Sequence, residues 1–541
     1  MTNINLLTNQ STKVTMKKAL LFAGFAALAL CASAQNPFAY GIRTTGVSNG
    51  VATGKTITVN YTLNADAESG AIKFYKAGKT AVKAVDLAGD QLTKGTHAVE
   101  VSIEDLEANA AYGFTITTTG AKIDAVKEVF SDFGAGMAHQ YWSAYGVACD
   151  NDPMSKHFGR VLITESQANQ GDTYFTKAQG VGAGLYEYDP QGNPVVNGAN
   201  STKYGYNPFQ WVNAKYEGGE KSNKFFAKKV RIAKDGRIFL GVLDCVSNPL
   251  YTINPDNLGE WTPVFQGTLA TDASGCINNA EGAMVAAPSA AFDVVGKGEN
   301  LKIANLGSKF GQSYSYGNYT CYEYALGAAN TWSEAAAAEV FPFSLQYTIS
   351  AQSVSIAYDK DGKGMWYAQY RATPSGDQPA IKHATLKANG WEEDYSDITT
   401  VVRGGGIAYN KDYTLLAIPA GNNVLKVYTV DKDNDGKPVL TEKYVLNTPS
   451  IRGYNDICFD YANNIYSCDN GKEVMQQLQL PLENPTVEVP CPASELFSIP
   501  VATGVTDITS TEVKAKKVIE NGQVVIIKGD KKYNLMGVEI K

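Results

Sequence analysis

A short phrase recurs along the second half of the chain at a spacing of about fifty residues. It consists of a small-apolar strand, a polar turn and a returning apolar strand, and it is clearest at 354–368, 405–418 and 456–468. A unit of short strands that recurs at this period is typical of a β-propeller, in which each unit is one blade. The repeat therefore constrains the fold more than any other feature of the sequence.

Six such units are predicted between 125 and 500, the earlier three opening at 145–150, 230–236 and 291–294. A propeller ring must close, and 497–501 is predicted to add a strand back to the first blade. The phrase resembles the six-bladed propellers of the NHL and gluconolactonase-like type. The G-H…W-D signature of WD40 blades is absent from the sequence.

Residues 36–124 alternate apolar and polar side chains without the propeller phrase, as at 56–63, 71–75, 96–103 and 111–117. Strands at this spacing, separated by turns, predict a small β-sandwich. The segment resembles a fibronectin type III or bacterial immunoglobulin-like module, and such modules often serve as spacers. The predicted fold class is therefore all-β, with a sandwich at 36–124 and a propeller at 125–503.

The N-terminal 1–34 has the pattern of a secretory signal peptide: Met16-Lys17-Lys18, an apolar run, and the exit Ala32-Ser33-Ala34. Lipidation at Cys31 is an alternative, although Leu30 is larger than the residue usual before a lipidated cysteine. No later stretch is long and apolar enough to predict a membrane span. Removal of 1–34, with its three lysines, changes the formal net charge from −7 to −10. That charge argues against nucleic acid or anionic lipid as a partner.

The tail at 504–541 changes character, with a hairpin pattern around Asn521-Gly522 and then the phrase Tyr533-Asn534-Leu535-Met536-Gly537. This tail resembles the type IX secretion sorting tails of exported Bacteroidota proteins. The resemblance implies an extracellular or outer-surface location, with the periplasm as the alternative, and attachment through the tail. Whether the tail is cleaved is left open by the sequence.

The sharpest metal-binding pattern is D-x-D-x-D-G-x₅-E, formed by Asp431, Asp433, Asp435 and Glu442, with Lys437 offering its carbonyl. Alternating carboxylates at this spacing hold Ca²⁺ in EF-hand loops. Two features oppose that interpretation, because Pro438 replaces the usual aliphatic residue and the flanks read as strands. The alternative is an acidic hairpin tip exposed to solvent.

Two stretches rich in aromatic side chains, 139–145 and 204–211, predict a ligand surface beside the first blade. Flat rings next to amides suit a sugar, because the rings stack on its apolar faces and the amides bind its hydroxyls. The alternative is that these rings pack the long insertion at 166–225 against the blades. The candidate ligand-binding residues are Trp142, Tyr145, Tyr204, Tyr206 and Trp211.

Catalysis has little support in the sequence, since its four histidines form no metal-ligand pair and no G-x-S-x-G elbow is present. The gluconolactonase-like resemblance implies a catalytic cation held by acidic and amide side chains near the axis. Asp150, Asn305, Asn455 and Asp456 are the candidates for that role, and structural roles at strand ends are the alternative.

Cysteine usage supports neither a zinc cluster nor a dense disulfide framework, because seven cysteines follow the signal peptide and no CxxC spacing occurs. Cys458 and Cys468 lie on strands joined by one short turn, so either they form a bridge or both are buried in a blade. Taken together, the sequence predicts an exported binding or scaffold protein whose propeller loops bind a glycan or a surface protein. A cation-dependent propeller hydrolase or lactonase and a structural envelope component are the alternatives.

Overall fold

A computed structural model gives the fold of the chain. It describes the following residues: 35–76, 80–125, 127–130, 141, 144–165, 184–195, 206, 226–243, 250–266, 270–271, 277–278, 284–286, 291–308, 319–332, 338–341, 354–369, 379–400, 402, 405–420, 424–447, 454–469, 474–483, 485–500, 516–520, 523–528, 530–533 and 539–540. The predicted signal peptide at 1–34 lies outside them.

These residues form an all-β structure, as predicted. In the ranges given above there is no α-helix, and the helical turns are the 3₁₀ segments Gly89–Leu92, Gly298–Asn300 and Ala493–Glu495. No helix of the described chain is long and apolar enough to cross a membrane.

The N-terminal part is a two-sheet β-sandwich, and the strands predicted from alternation are present. One sheet has the order Ala39–Thr45, Thr56–Leu63, Gly95–Ser102. The other has the order Val47–Ser48, Val51–Ala52, Phe497–Ser498, Ala111–Thr119, Ser69–Lys76, Ala81–Asp86, with Thr486–Pro490 also paired to Ala111–Thr119. Apolar side chains from both sheets form one buried core, so each sheet covers the apolar face of the other.

The prediction for 497–501 is wrong, and so is the domain boundary at 503. Phe497 pairs with Tyr112 of the sandwich rather than with the first blade, and Thr486–Pro490 lies antiparallel to the same sandwich strand. The physical reason is apolar burial, since Phe497 packs against the rings of Phe74 and Tyr112 inside the sandwich core. The sandwich therefore contains strands that precede the ring in the sequence and strands that follow it.

Between the two parts of the sandwich, the chain forms consecutive antiparallel sheets that we name A to F. Their strands, in order of pairing, are: A, Ala144–Cys149, Val161–Glu165, Gly184–Tyr188; B, Phe226–Ile232, Ile238–Leu243, Leu250–Ile253, Trp261–Pro263; C, Ala291–Val295, Lys302–Ser308, Tyr319–Ala325, Ala338–Phe341; D, Val354–Tyr358, Gly364–Gln369, Ile381–Lys387, Gly390–Asp397; E, Ala408–Tyr409, Leu416–Pro419, Val424–Lys432, Pro438–Asn447; F, Tyr454–Phe459, Ile465–Asp469, Val474–Gln479, Lys127–Phe130.

Sheets A to F follow one another around a closed cycle. The first strand of each sheet, its inner strand, contacts the inner strand of the next, and that of F contacts that of A. A separate apolar cluster fills each gap between neighbouring sheets, including the gap between F and A. Sheets that bury both faces against their neighbours around an axis form a β-propeller.

The ring closes by a route that the sequence analysis did not predict. Lys127–Phe130, which directly follows the sandwich, pairs with Val474–Gln479 and supplies the outer strand of sheet F. The inner strands approach closely at two glycines. A Cβ at Gly146 would lie 2.2 Å from the carbonyl oxygen of Lys228, and one at Gly406 would lie 2.5 Å from Ile457. Glycine at these two positions therefore allows the close approach of the strands.

The sandwich is docked on the ring through buried polar contacts. The backbone N–H of Asn36 donates to the side-chain oxygen of Asn464 over 2.9 Å, and its side chain donates to the carbonyl of Ala462 and accepts from Gln479. Phe38 packs edge-on against Phe158 of the ring. These contacts fix the sandwich directly against sheets A and F.

Two smaller sheets complete the described chain. One contains Ala270–Thr271, Ile277–Asn278 and Met284–Ala286, between sheets B and C. The other is C-terminal and contains Lys516–Glu520, Gln523–Lys528, Lys531–Tyr533 and Glu539–Ile540. Glu520 pairs with Gln523 across Asn521-Gly522, so the predicted hairpin in the tail is confirmed.

Candidate functional site

The inner strands bring a network of buried charges to the axis, centred on Asp456 of sheet F. Asp456 is fully buried. Its carboxylate accepts from Lys229 Nζ over 2.9 Å, from Arg231 Nη1 and Nη2 over 2.7 and 3.0 Å, and from the backbone N–H of Val147 over 3.1 Å. Lys229 also donates to the carbonyl of Gly405. The network therefore links sheets A, B, E and F.

Burial and pairing act in opposite directions on these groups. Burial disfavours the carboxylate of Asp456, but Arg231 and Lys229 outweigh it and hold its pKa below the usual value. Burial lowers the pKa of Lys229 to about 8, against the attraction of Asp456. The cluster contains two cations, Lys229 and Arg231, and one anion, Asp456. The negative charge of Asp456 is therefore already neutralised by neighbouring side chains.

Asp293, on the inner strand of sheet C, is the second acid of the axis. Its carboxylate lies 3.5 Å from Arg231 Nε and accepts the backbone N–H of Tyr358 over 2.8 Å. Burial raises the pKa of Asp293 to about 6, although Arg231 opposes the shift. A carboxyl group of this kind is suited to proton transfer near neutral pH.

The polar residue that ends several inner strands has a structural role in the following turn. Asp150 accepts the backbone N–H of Asp152 and the hydroxyl of Ser155. Asn410 and Asp460 accept backbone N–H groups four residues later. This geometry explains the acidic or amide residue of the repeated phrase. Its side-chain oxygen accepts hydrogen bonds from backbone N–H groups in the turn that connects the first two strands.

A cavity of about 420 Å³ opens at this end of the axis. The inner strands of A to F all contribute to its wall, and Arg231 and Asp293 lie in its lining. The lining also includes apolar residues, among them Val147, Val294 and Ile457. A concave site of this size with a few charged groups has the general form of a small-ligand site.

Lys234, Lys297 and Lys411 lie in the lining of the cavity, and Lys360 lies close enough to Lys234 to repel it. Lys234, Lys297, Lys360 and Lys411 each lie two residues beyond the end of an inner strand, in sheets B, C, D and E. Burial lowers the pKa of Lys234, and repulsion from Lys360 and Lys297 lowers it further. Within the described residues, Lys234, Lys297 and Lys360 have no carboxylate within ion-pair distance, whereas Lys411 pairs with Asp412. We call these four residues the lysine crown.

Tyr413 lies in the cavity lining in an unusual backbone conformation. Its φ is +60°, in the left-handed region, and the matching turn positions in three other sheets are Gly236, Gly362 and Asn463. A bulky residue is disfavoured there, so its presence calls for an explanation. The ring of Tyr413 lies 5.1 Å from that of Tyr409, and Lys234 Nζ lies 4.6 Å above it. The turn therefore places an aromatic face beside the lysine crown.

The five residues of the predicted calcium loop do not converge. They lie on the hairpin between Val424–Lys432 and Pro438–Asn447, where Asp431 pairs with Val439 and Glu442 pairs with Tyr428. Asp433 accepts the backbone N–H groups of Asp435 and Lys437, and Glu442 forms an ion pair with Lys426 over 2.7 Å. This geometry matches the alternative interpretation, an acidic hairpin tip exposed to solvent, rather than a calcium-binding loop.

Only part of the predicted aromatic surface falls on described residues, since Trp142, Tyr204 and Trp211 lie outside them. Tyr145 is buried, with Lys228 Nζ 3.5 Å from its ring centroid. Tyr206 exchanges backbone hydrogen bonds with Leu185 and packs on the cluster between sheets A and B. Both described tyrosines thus have packing roles, so the ligand surface stays a prediction.

The candidates for a catalytic cation are also dispersed. Asp456 is at the axis but bound by Lys229 and Arg231, Asp150 serves its own turn, and Asn305 lies in the second strand of sheet C. Asn455 lies on the inner strand of sheet F. Over the described ranges, no group of three or more His, Cys, Asp or Glu side chains is placed to hold a metal ion.

Cys458 and Cys468 are not bonded to each other in this structure. Cys468 is buried, as the packing alternative requires. Cys458 faces a different cysteine, since its sulfur lies 3.3 Å from that of Cys149 in sheet A.

Sequence reasoning missed both Lys229 and Arg231, and it missed the lysine crown. The crown had a signal, because aligning the repeats by the end of the inner strand places a lysine at the same position four times. Lys229 and Arg231 had none, since one alternating strand gives no indication of which polar side chains face the axis.

No protein-family model matches the chain, and no curated protein matches its sequence. Similar folds occur among solved structures. A structural genomics protein of unknown function from Bacteroides thetaiotaomicron is 9% identical, with a TM-score of 0.36 over 82% of this chain and 98% of that chain. Regucalcin from Agrobacterium tumefaciens, a calcium-binding protein, is 11% identical, with a TM-score of 0.34 over 67% and 94%.

The WD40 β-propeller domain of Doa1 is 10% identical, with a TM-score of 0.33 over 67% of this chain and 97% of that domain. At these values the similarities carry no functional argument. The propeller assignment rests on the closed cycle of sheets and on the apolar clusters between them.

Proposed function

We propose that this chain is an exported binding protein whose axial cavity binds an acidic glycan, that is, a saccharide bearing a carboxylate. Its ring is a six-bladed propeller made of sheets A to F, and the docked sandwich is an immunoglobulin-like module. The signal-like N-terminus and the sorting-like tail support export to the outer surface, with the tail as the attachment.

The observation that carries this proposal is the lysine crown around the cavity mouth. Three of its four lysines have no carboxylate partner among the described residues. Burial lowers the pKa of Lys234, and repulsion from Lys360 and Lys297 adds to that shift. A carboxylate bound between them relieves that repulsion. The cavity lining also contains Asp152, Asp293 and Asp412. Asp412 pairs with Lys411, and Asp293 lies 3.5 Å from Arg231. Lys234 and Lys297 are therefore the lining cations that can interact with a bound anion.

The aromatic lining favours a sugar among small anions. Tyr409 and Tyr413 present neighbouring rings in the cavity wall, and Tyr413 adopts a left-handed conformation. A pyranose ring stacks on such a face through its C–H groups, while its carboxylate reaches the lysines.

A hydrolase is the second candidate, and Asp293 favours it. Its pKa is raised to about 6 in the cavity lining, which suits a general acid or base. A second free carboxylate is needed for the usual two-acid glycoside hydrolysis. The other axial acid, Asp456, is bound by Lys229 and Arg231. We therefore favour binding without turnover.

The proposal is tested by titrating the full chain with oligogalacturonate and with the matching neutral galactan, using calorimetry. The oligogalacturonate is expected to bind and the galactan to bind at least tenfold more weakly. Lys234→Gln and Lys297→Gln are each expected to weaken binding about tenfold or more, because each removes one charge-assisted hydrogen bond of roughly 1.5–3 kcal/mol.

Lys387→Gln is the matched control, since Lys387 is an exposed lysine at the far edge of sheet D. Its affinity is expected to equal that of the unmodified chain. Equal binding of neutral and acidic saccharides, or no effect of the two crown variants, would overturn the proposal. Release of shortened saccharides, abolished by Asp293→Asn, would establish the hydrolase instead.

A further inference from the structure

Two thiols face each other where the propeller ring closes. Cys149 ends the inner strand of sheet A and Cys458 lies on the inner strand of sheet F, and their sulfur atoms are 3.3 Å apart. We propose that Cys149 and Cys458 form a disulfide that latches the first sheet of the ring to the last. This inference does not depend on the ligand of the cavity.

The surrounding contacts hold the two strands in register for this bond. Val147 donates its backbone N–H to Asp456, and the side chain of Asn151 donates to the carbonyl of Phe459 over 2.9 Å. These contacts lie on either side of the cysteine pair along both strands. A disulfide needs an S–S distance of about 2.05 Å, so the sulfurs must approach by about 1.2 Å. Side-chain rotation at partly packed cysteines is sufficient for a movement of that size.

Cys149 and Cys458 both belong to the lining of the axial cavity, which is the route by which a small reagent would approach them. Cys458 is only partly buried, whereas Cys149 is 8% exposed. Burial raises the pKa of the Cys149 thiol, so Cys458 is the cysteine that reacts first.

The bond forms by thiol–disulfide exchange with a small organic disulfide. The Cys458 thiolate, having lost its proton to water, attacks one sulfur of the reagent, and the reagent's S–S bond breaks to release one thiolate. Cys149 then loses its proton and attacks the Cys458 sulfur, which forms the protein disulfide and expels the second thiolate. The two thiolates take up two protons, so two protein thiols are oxidised and one disulfide is reduced to two thiols.

The consequence is that the ring can no longer open at this seam. The bond joins residues 309 positions apart, and it spans the inner strands, whereas Lys127–Phe130 closes the outer edge of the same sheet. The seam would then be closed by backbone pairing outside and by a covalent bond inside. Of the other cysteines that the structure describes, Cys321 contacts the sulfur of Met365 rather than another cysteine.

The test treats the folded full chain with 2-hydroxyethyl disulfide, a small neutral reagent, and then blocks free thiols and maps peptides without reduction. A Cys149–Cys458 linked peptide is expected as the main product. A Cys458–Cys468 peptide as the main product, or both thiols recovered free, would overturn the proposal.

A second measurement compares melting temperatures of the oxidised and reduced forms. The unmodified chain and Cys321→Ser are both expected to melt several degrees higher when oxidised, whereas Cys458→Ser is expected to melt at the same temperature in both conditions. An oxidation-dependent increase that persists in Cys458→Ser would also overturn the proposal, because it would place the stabilising bond elsewhere.

Discussion

Replacing Asp456 with asparagine tests whether the axial charge network holds the ring together. The side chain is fully buried and accepts hydrogen bonds from Lys229, Arg231 and Val147. Asparagine keeps the size but removes the negative charge that pairs with the Lys229 ammonium and the Arg231 guanidinium. Both cations stay buried, and Asp293 remains 3.5 Å from Arg231. Breaking a buried ion pair by removing one partner costs about 3–5 kcal/mol, and we expect the free energy of unfolding to fall by that amount.

The assay is urea denaturation followed by tryptophan fluorescence, with thermal melting as a second readout. At roughly 2 °C per kcal/mol for a large domain, the melting temperature is expected to fall by about 6–10 °C. Asp435→Asn is the matched control, because Asp435 is exposed at a hairpin tip, and changes at such positions usually stay within about 0.5 kcal/mol.

A second substitution isolates the electrostatic cause. Adding Lys229→Met to Asp456→Asn removes one of the two buried cations that Asp456 paired with, so the double variant is expected to recover at least about 1 kcal/mol of the loss. A loss below about 1 kcal/mol for Asp456→Asn alone, or a double variant less stable than the single one, would refute the reasoning.

Three further outcomes are expected. Burial opposes the charged form of His383, but hydrogen bonds to Asp359 and Asp394 outweigh it and raise its pKa above 6.5. The stability from charged His383 is present below pH 6.5 and lost as pH rises through the raised value, so denaturation midpoints should fall with pH more steeply in the unmodified chain than in His383→Gln. Chelator should leave the melting temperature unchanged in the unmodified chain and in Asp433→Ala, because the hairpin carboxylates diverge; a chelator effect confined to the unmodified chain would restore the calcium site. Phe497→Ala should destabilise the sandwich by about 3–5 kcal/mol, measured by hydrogen exchange of the 111–119 strand, and unchanged exchange there would contradict its core role.

Local pattern was sufficient for the strands and their connections. Period-two alternation predicts Thr56–Leu63 with the bounds that the structure has, and Asn521-Gly522 predicts a two-residue hairpin loop that is present. The recurrent phrase predicts the first two strands of each of sheets A to F. These features depend on interactions between residues that are close in sequence, so they can be predicted from the sequence alone.

Long-range pairing was decided only by the tertiary structure. The sequence of the strand at 497–498 is compatible with pairing in either the ring or the sandwich. In the structure it pairs with the sandwich, where Phe497 is buried in the apolar core. The outer strand of sheet F was supplied from 127–130, a segment with no mark of the propeller phrase. The exposed N–H and C=O groups of an edge strand can form hydrogen bonds with many different strands. The sequence of a strand therefore does not specify which sheet edge it pairs with.

The candidate site divides in the same way. The repeat in the sequence places an acidic or amide residue directly after the inner strands of sheets A, D, E and F. It also places a lysine two positions beyond the inner strands of sheets B, C, D and E, although sequence reasoning did not single these lysines out. Only the closed ring brought Asp456 to Lys229 and Arg231, and Cys149 to Cys458, across separations of more than two hundred residues. Which side chains meet at the axis depends on how many sheets form the ring and on how far the inner strands lie from the axis. Both are properties of the packed ring rather than of any one segment.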